Sequence, residues 1–204
     1  MPKGPTKRRP QTTAALLDAA YEAFAERGFH GASIGEISKR AGLTTGAFYS
    51  NYASKEDLLL ALFDRHSRQL VERLHSSVEL ALSTPDPLST LIGLLAEQAD
   101  DDPTWFLVST EFTLHAIRNP DVAVLLAAHE RALRNELVSL LALLLEKTGH
   151  ETTADLDLLA RLVIALREGG LAQSMVEPDA LPNGELDRRY LPTILHTIFR
   201  DGAP

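Results

Sequence analysis

Cysteine is absent from all 204 residues. That excludes disulfides and thiolate metal sites, and it fits a cytoplasmic location. No apolar run of 18 residues occurs, so no membrane span is expected. The opening stretch MPKGPTKRRPQTT is basic and polar, without the apolar core of a signal peptide. Common catalytic signatures are missing as well: there is no H-E-x-x-H, no P-loop and no G-x-S-x-G. A di-iron helical bundle needs two Glu-x-x-His pairs, and only Glu72 and His75 have that spacing. The chain is therefore expected to be no enzyme and to carry no metal and no cofactor. The chain is long enough for a real core, in one or two domains.

What is present centres on residues 33–55, SIGEISKRAGLTTGAFYSNYASK. Ser33 and Glu36 have the spacing of a capping box, and Ile34, Ile37 and Ala41 recur at helical intervals. Gly42 follows, where a left-handed residue ends a helix. Thr44 can cap the next helix. That helix, Thr45 to about Tyr52, begins with little bulk: Thr45, Gly46, Ala47. It is expected to show Thr45, Tyr49 and Tyr52 outward and to turn Phe48 inward.

A helix, a glycine turn and a second helix with small polar residues first make the helix-turn-helix pattern over residues 33–52. Such a second helix enters the DNA major groove by its N-terminal end, where bulk would hold it off the bases. Thr44 and Thr45 can reach phosphates or a thymine methyl, Gly46 permits close backbone approach, and Tyr49 and Tyr52 offer hydroxyls to phosphates. Ser33 and Lys55 complete the expected DNA contacts. The bland alternative is a plain helical hairpin in a bundle.

Leu16 to Leu60 resembles the N-terminal domain of the TetR family of bacterial repressors. The resemblance rests on Ala20, Phe24, Gly28, Phe29, Ala32, Ser33, Ile37, Ala41, Gly42, Tyr49, Tyr52, Lys55, Glu56 and Leu59, in order and without a gap. It covers about the first third of the chain. Many members carry Lys or Arg where this chain has Thr45, and Phe where it has Tyr52. The Thr45 departure removes one phosphate or guanine contact, so no operator sequence is carried over. The resemblance implies an all-α fold of about nine helices. A three-helix DNA-binding domain (10–70) would be followed by a helical domain for effector binding and dimerisation (71–204).

The net charge of −8 sits oddly with a nucleic-acid partner until its distribution is seen. Residues 1–55 hold eight Lys/Arg against four acids, and the remainder holds 12 against 24. A basic head on an acidic body turns one end toward phosphates. Arg8 and Arg9, in a Pro-rich basic segment over residues 1–10 expected to be disordered, can enter a narrow minor groove or simply solubilise the tail.

The first helix is expected from Thr12 or Thr13 to about Arg27, with Gly28 ending it. Ser54 and Asp57 open a fourth helix that runs to about Ala81, roughly 40 Å at 1.5 Å per residue, long enough to carry a signal. Asp86-Pro87, Asp102-Pro103 and Asn119-Pro120 each place a capping side chain before a first-turn proline. They start helices over Pro87–Asp100, Pro103–Arg118 and Pro120–Thr148. Glu130 and Arg134 are expected to pair on a solvated face. Helices from Asp155 to about Met175, and from about Leu186 or Tyr190 to Arg200 with a late start or kink at Pro192, end the chain.

Helix-turn-helix proteins bind two half-sites as dimers. The expected homodimer surface uses Leu158, Leu162, Val163, Leu166, Gly169, Tyr190, Ile194 and Phe199, which can alternatively close the monomer's own core. A small-molecule effector is expected among Leu62, His66, Trp105, Phe106, Glu111, Phe112 and His115, a mostly apolar set with a few polar groups; the same residues can be ordinary core. The expected partners are double-stranded operator DNA, this effector and a second copy, with no membrane. A helical ligand-binding or adaptor protein without DNA binding is the competing reading.

Overall fold

Caps and apolar spacing decide where the helices begin and end. A computed structural model describes residues 8–97, 102–149 and 152–200, and among them it shows nine helices and no strand. They are α1 (Arg8–Gly31), α2 (Ile34–Arg40), α3 (Thr45–Tyr49), α4 (Lys55–Leu82), α5 (Pro87–Glu97), α6 (Pro103–Arg118), α7 (Pro120–Thr148), α8 (Leu156–Val176) and α9 (Glu185–Arg200). None of the described helices is long and apolar enough to cross a membrane. Lys3, Lys7 and the Arg8 side chain lie outside the described residues, as does the expected end of α5 near Asp100.

Two compact units divide the chain discontinuously. One holds residues up to His66 together with Leu107–His129; the other holds Ser67–Phe106 and Glu130 onward. In the first, Leu16, Ala20, Phe24, Phe29, Ile37, Phe48, Leu58, Leu59 and Phe112 are buried. Phe29 is the hub, with its ring centroid 5.7 Å from Phe24 and 5.3 Å from Phe112. In the second, Val78, Leu88, Leu91, Ile92, Leu140, Leu144, Leu159, Leu191, Leu195 and Phe199 form one apolar core.

Several boundaries differ from expectation, each for a physical reason. α1 starts at Arg8, ahead of Pro10, because first-turn N–H groups have no helical acceptor and proline loses nothing there. The Thr13 hydroxyl donates to the Arg9 carbonyl at 3.0 Å, inside that early turn. Gly28 does break α1, with φ 72 and ψ 168, but one more turn follows it to Gly31. α9 runs from Glu185 straight through Pro192, so proline neither delays its start nor ends it. Leu191, Leu195 and Phe199 are buried on one face of α9, and that burial outweighs the missing backbone bond.

The caps also redistribute. Asp86 Oδ1 accepts from the Ser89 N–H at 3.1 Å and Asp102 Oδ1 from the Thr104 N–H at 2.9 Å. Asn119 instead turns its amide back to donate to the His115 carbonyl at 2.7 Å, closing α6 rather than opening α7. Arg134 is buried, not on a solvated face: its Nε reaches Asp157 at 3.4 Å, and Glu130 lies at 4.0 Å. The close approach of α8 and α9 uses Gly170, whose added Cβ would stand 3.4 Å from Leu186 Cδ1; a Cβ on Gly169 would meet nothing.

Gly28→Ala should lower the unfolding free energy by about 1–3 kcal/mol or more, the cost of holding an L-residue at positive φ with extended ψ. The new Cβ would in addition stand 2.5 Å from Glu111 Oε2. Urea unfolding checks this; an unchanged midpoint would show that Gly28 is replaceable.

Candidate nucleic-acid interface

The interface is built by two short helices that cannot stand alone. Ser33 caps α2 by accepting the Glu36 N–H at 3.2 Å. The Glu36 carboxylate does not complete a capping box; it pairs with Arg27 Nε at 2.9 Å. Gly42, at φ 68, ends the approach from α2, and the Leu43 N–H returns to the Ser38 carbonyl at 2.8 Å. Thr44 then caps α3, its hydroxyl accepting the Ala47 N–H at 3.2 Å. Phe48 is fully buried and anchors α3 from beneath.

The surface left above that anchor is small and polar. Thr44, Thr45 and Gly46 are exposed, and Tyr49 is 58% exposed. Ser33 and Arg9 are exposed as well. These residues stand in solvent, Arg9 as part of α1 rather than of a free arm.

Tyr52 and Lys55 turn their polar ends inward. The Tyr52 hydroxyl is buried and has no hydrogen-bond partner among the described residues. Its ring lies 6.0 Å from that of Phe48. Burial pushes its phenol above the ordinary range, against a smaller opposing pull from Arg65. The tyrosine expected to face outward there is thus half-buried with its hydroxyl inside: one helical turn beyond Phe48, it follows the anchor inward. Lys55 donates through Nζ to the carbonyls of Phe29 at 2.5 Å and Ala32 at 2.9 Å, and lies 4.5 Å from the Phe29 ring centroid. Burial draws its ammonium below the usual lysine range, with Glu56 and Glu111 acting in the opposite sense. Its charge is spent inside the protein.

Three further described cations of this unit, Arg27, Arg40 and Arg65, are also paired internally. Arg40 binds Glu26 at 2.6 Å and Glu22 at 3.4 Å, and Arg65 binds Asp18 at 2.6 Å. The Arg40 hydrogen bond holds the Glu26 carboxyl below its usual range. Lys39, exposed at the end of α2, forms no ion pair among the described residues. It was absent from the sequence-based contacts, and only its position beside the turn to α3 singles it out.

The residues expected around an effector are divided between the two compact units, Trp105 and Phe106 falling in the second and the others in the first. Leu62 and Phe112 are buried core of the first unit. Glu111 accepts the backbone N–H groups of Phe29 and His30. His115 stands 3.8 Å from Glu56 and 5.0 Å from the Phe29 ring centroid. His66, Trp105 and Phe106 are half-buried. A shallow depression of about 480 Å³ on α4 is lined by Gln69, Glu72, Arg73 and Ser76, none of them from that set.

The expected dimer residues separate into two groups. Leu158 (61% exposed), Leu162 and Tyr190 stand in solvent, and Gly169 opens onto free space. Val163 and Leu166 pack partly against the core of the second unit. Ile194 is half-buried. Phe199, 2% exposed, belongs to that core and is unavailable to a partner: it shares a face of α9 with Leu191 and Leu195.

A helix-turn-helix followed by a helical body is an architecture that DNA-binding regulators use. Residues 16–62 match the bacterial regulatory proteins, tetR family, and residues 85–196 match the BetI-type transcriptional repressor, C-terminal. The chain belongs to the TetR family of transcriptional regulators, DNA-binding proteins rather than enzymes. It is 32% identical over 78 residues to the fatty acid metabolism regulator protein of Bacillus subtilis (strain 168), covering 38% of this chain and 40% of that protein. The chain spans less than two thirds of the curated relatives it matches. Among solved structures it is similar to Salmonella enterica GusR, with a TM-score of 0.72 and 25% identity over 96% of this chain and 98% of that one. The regulator FadR from Bacillus subtilis, in complex with stearoyl-CoA, shares the fold, with a TM-score of 0.64 and 18% identity over 89% of this chain and 96% of that one.

The two tyrosines separate experimentally. Tyr49→Phe should weaken DNA binding across sequences by about 1 kcal/mol, the worth of one hydroxyl–phosphate bond. Tyr52→Phe should leave DNA affinity unchanged and stabilise the fold by about 1 kcal/mol, because it removes a buried unpaired hydroxyl. Binding titrations and urea melts of both variants check this; a loss of affinity in Tyr52→Phe would return that hydroxyl to the DNA.

Proposed function

We propose that this chain is a ligand-responsive repressor of the cytoplasm. It binds a palindromic operator as a homodimer and is released by a small, mostly apolar effector. Functionally it divides into a reading domain, residues 10–70, and an effector and dimerisation domain, residues 71–204. The observation that carries the reading is the exposed start of α3, where Thr44, Thr45, Gly46 and Tyr49 stand clear over a buried Phe48. A helix with that profile fits a major groove, and Arg9 and Lys39 supply charge at its margins.

Dimerisation is supported by α8. Leu158, Leu162, Ala165, Gly169, Ala172 and Val176 recur every three or four residues on one stripe. Val176 is 80% exposed. An apolar, small-residue stripe facing water gains by pairing with its own copy around a two-fold axis. The effector class is supported by relatives: a fatty acid metabolism regulator among the similar sequences, and a stearoyl-CoA complex among the similar folds. Repression is supported by the repressor-type C-terminal match. The effector would act by its difference in affinity between two forms, and a full switch needs about 5.5 kcal/mol of it.

Selection of duplexes from a random pool tests this. A two-fold symmetric site with half-sites about one helical turn apart is expected, and stearoyl-CoA should release it. Affinity should fall with salt, by about 0.9 in the log–log slope for each phosphate contact. Lys39→Ala and Arg9→Ala should each shallow the slope, whereas Lys55→Ala should leave it as it is. Enrichment of no symmetric site would sink the operator reading, and a chain that sediments as a monomer at micromolar concentration would sink the dimer.

A further inference from the structure

The turn after Gly28 is held at both ends by charged side chains from other helices. With Gly28 at φ 72 and ψ 168, the helical ladder restarts at Phe29, and the first N–H groups of the new turn have no helical acceptor. Glu111 of α6 supplies one. Its Oε2 accepts from Phe29 N–H at 2.8 Å and its Oε1 from His30 N–H at 3.3 Å. At the other end, Lys55 donates to the carbonyls of Phe29 and Ala32. An anion at the N-terminal end and a cation at the C-terminal end is the arrangement the peptide dipoles favour. No local Ser, Thr, Asp or Asn precedes Phe29 to cap it, since that position must be glycine.

The apolar contacts here do not fix direction. Phe29 meets Phe112 edge-on at 5.3 Å, and the burial that drives such contact is non-directional. Two charge-assisted bonds from one carboxylate to adjacent backbone N–H groups do not. The last turn of α1 leads directly into Ser33 and α2, so whatever fixes that turn fixes the reading pair.

We infer that Glu111 is a positioning residue that locks the helix-turn-helix to α6 through the Phe29 and His30 amides, and so sets how strictly the protein reads half-site spacing. The inference rests on the operator-binding reading above, but the lock itself can be tested without DNA. Losing a charge-assisted bond to a backbone amide is worth about tenfold in local opening. Amide hydrogen exchange at Phe29 and His30 should therefore quicken about tenfold in Glu111→Ala, and less in Glu111→Gln, which keeps an acceptor oxygen. Amides of α3 should change little.

The DNA arm uses a site selected by the wild-type protein and the same site with one base pair inserted between its halves. The insertion moves a half-site by about 3.4 Å along the axis. The wild type should lose at least about tenfold in affinity on the insertion, the scale of a mismatched contact. Glu111→Ala should bind the original site about tenfold more weakly yet lose less than about threefold on the insertion, with Glu111→Gln between the two. A residue that merely stabilised the fold would reduce the folded fraction and leave the insertion penalty as in the wild type. Unchanged exchange at Phe29 and His30 overturns the inference whatever the DNA result, as does an unchanged insertion penalty in folded Glu111→Gln and Glu111→Ala. If the wild type selects no site, the operator reading fails, and the lock is then decided by the exchange rates.

Discussion

A five-residue helix has no stability of its own in water; nucleation alone costs more than so few hydrogen bonds return. α3 is such a helix, and it persists because Phe48 is fully buried beneath it. Burying a phenylalanine contributes about 1.5–3 kcal/mol, enough to hold one turn against fraying when Thr44 also caps it. That single anchor dictates the outer surface. With Phe48 inward, Thr44, Thr45, Gly46 and Tyr49 are presented outward together, and Tyr52 is carried inward. The exposed face proposed for DNA is the complement of a packing requirement.

The same logic governs charge. A basic head suggests a broad electrostatic surface, but four of the described cations of this unit, Arg27, Arg40, Lys55 and Arg65, are engaged within the protein. Arg40 links α2 to Glu22 and Glu26 of α1, Arg27 pairs with Glu36, and Lys55 ties α4 to the α1–α2 turn. Exposed ion pairs stabilise weakly, so their value here lies in fixing the geometry of short elements. Among the described cations of the head, Arg9 and Lys39 remain in solvent, whereas Arg27, Arg40 and Lys55 are engaged within the protein.

In the second unit, small residues divide their work by face. Gly170 admits Leu186 of α9, whereas Gly169, one residue earlier, faces free space along the stripe of Leu158, Leu162 and Val176. One hundred degrees of helical rotation separate an intramolecular contact from an unpartnered surface. Both glycines carry a propensity cost of about 1 kcal/mol against alanine, and only Gly170 offsets it by close packing within the chain.

Local signals were legible from the amino-acid order. The bounds of α6 and α7 follow from Asp102-Pro103 and Asn119-Pro120, and the helix-turn-helix follows from Gly42 between two capped helices. Capping, proline placement and helical periodicity act over a few residues, so residue order alone settles them. What Glu111, Phe112, His115, Lys55 and Tyr52 do was not legible. An aromatic or a carboxylate at helical spacing is equally suited to a pocket or to a core, and a lysine near a helix start is equally suited to a phosphate or to a carbonyl. Partners 82 residues apart, such as Glu111 and Phe29, choose between those roles. Sequence thus determined the elements and the class of regulator. Tertiary structure alone decided which charges and hydroxyls stay free to meet DNA, because that depends on which groups the fold has already desolvated and paired.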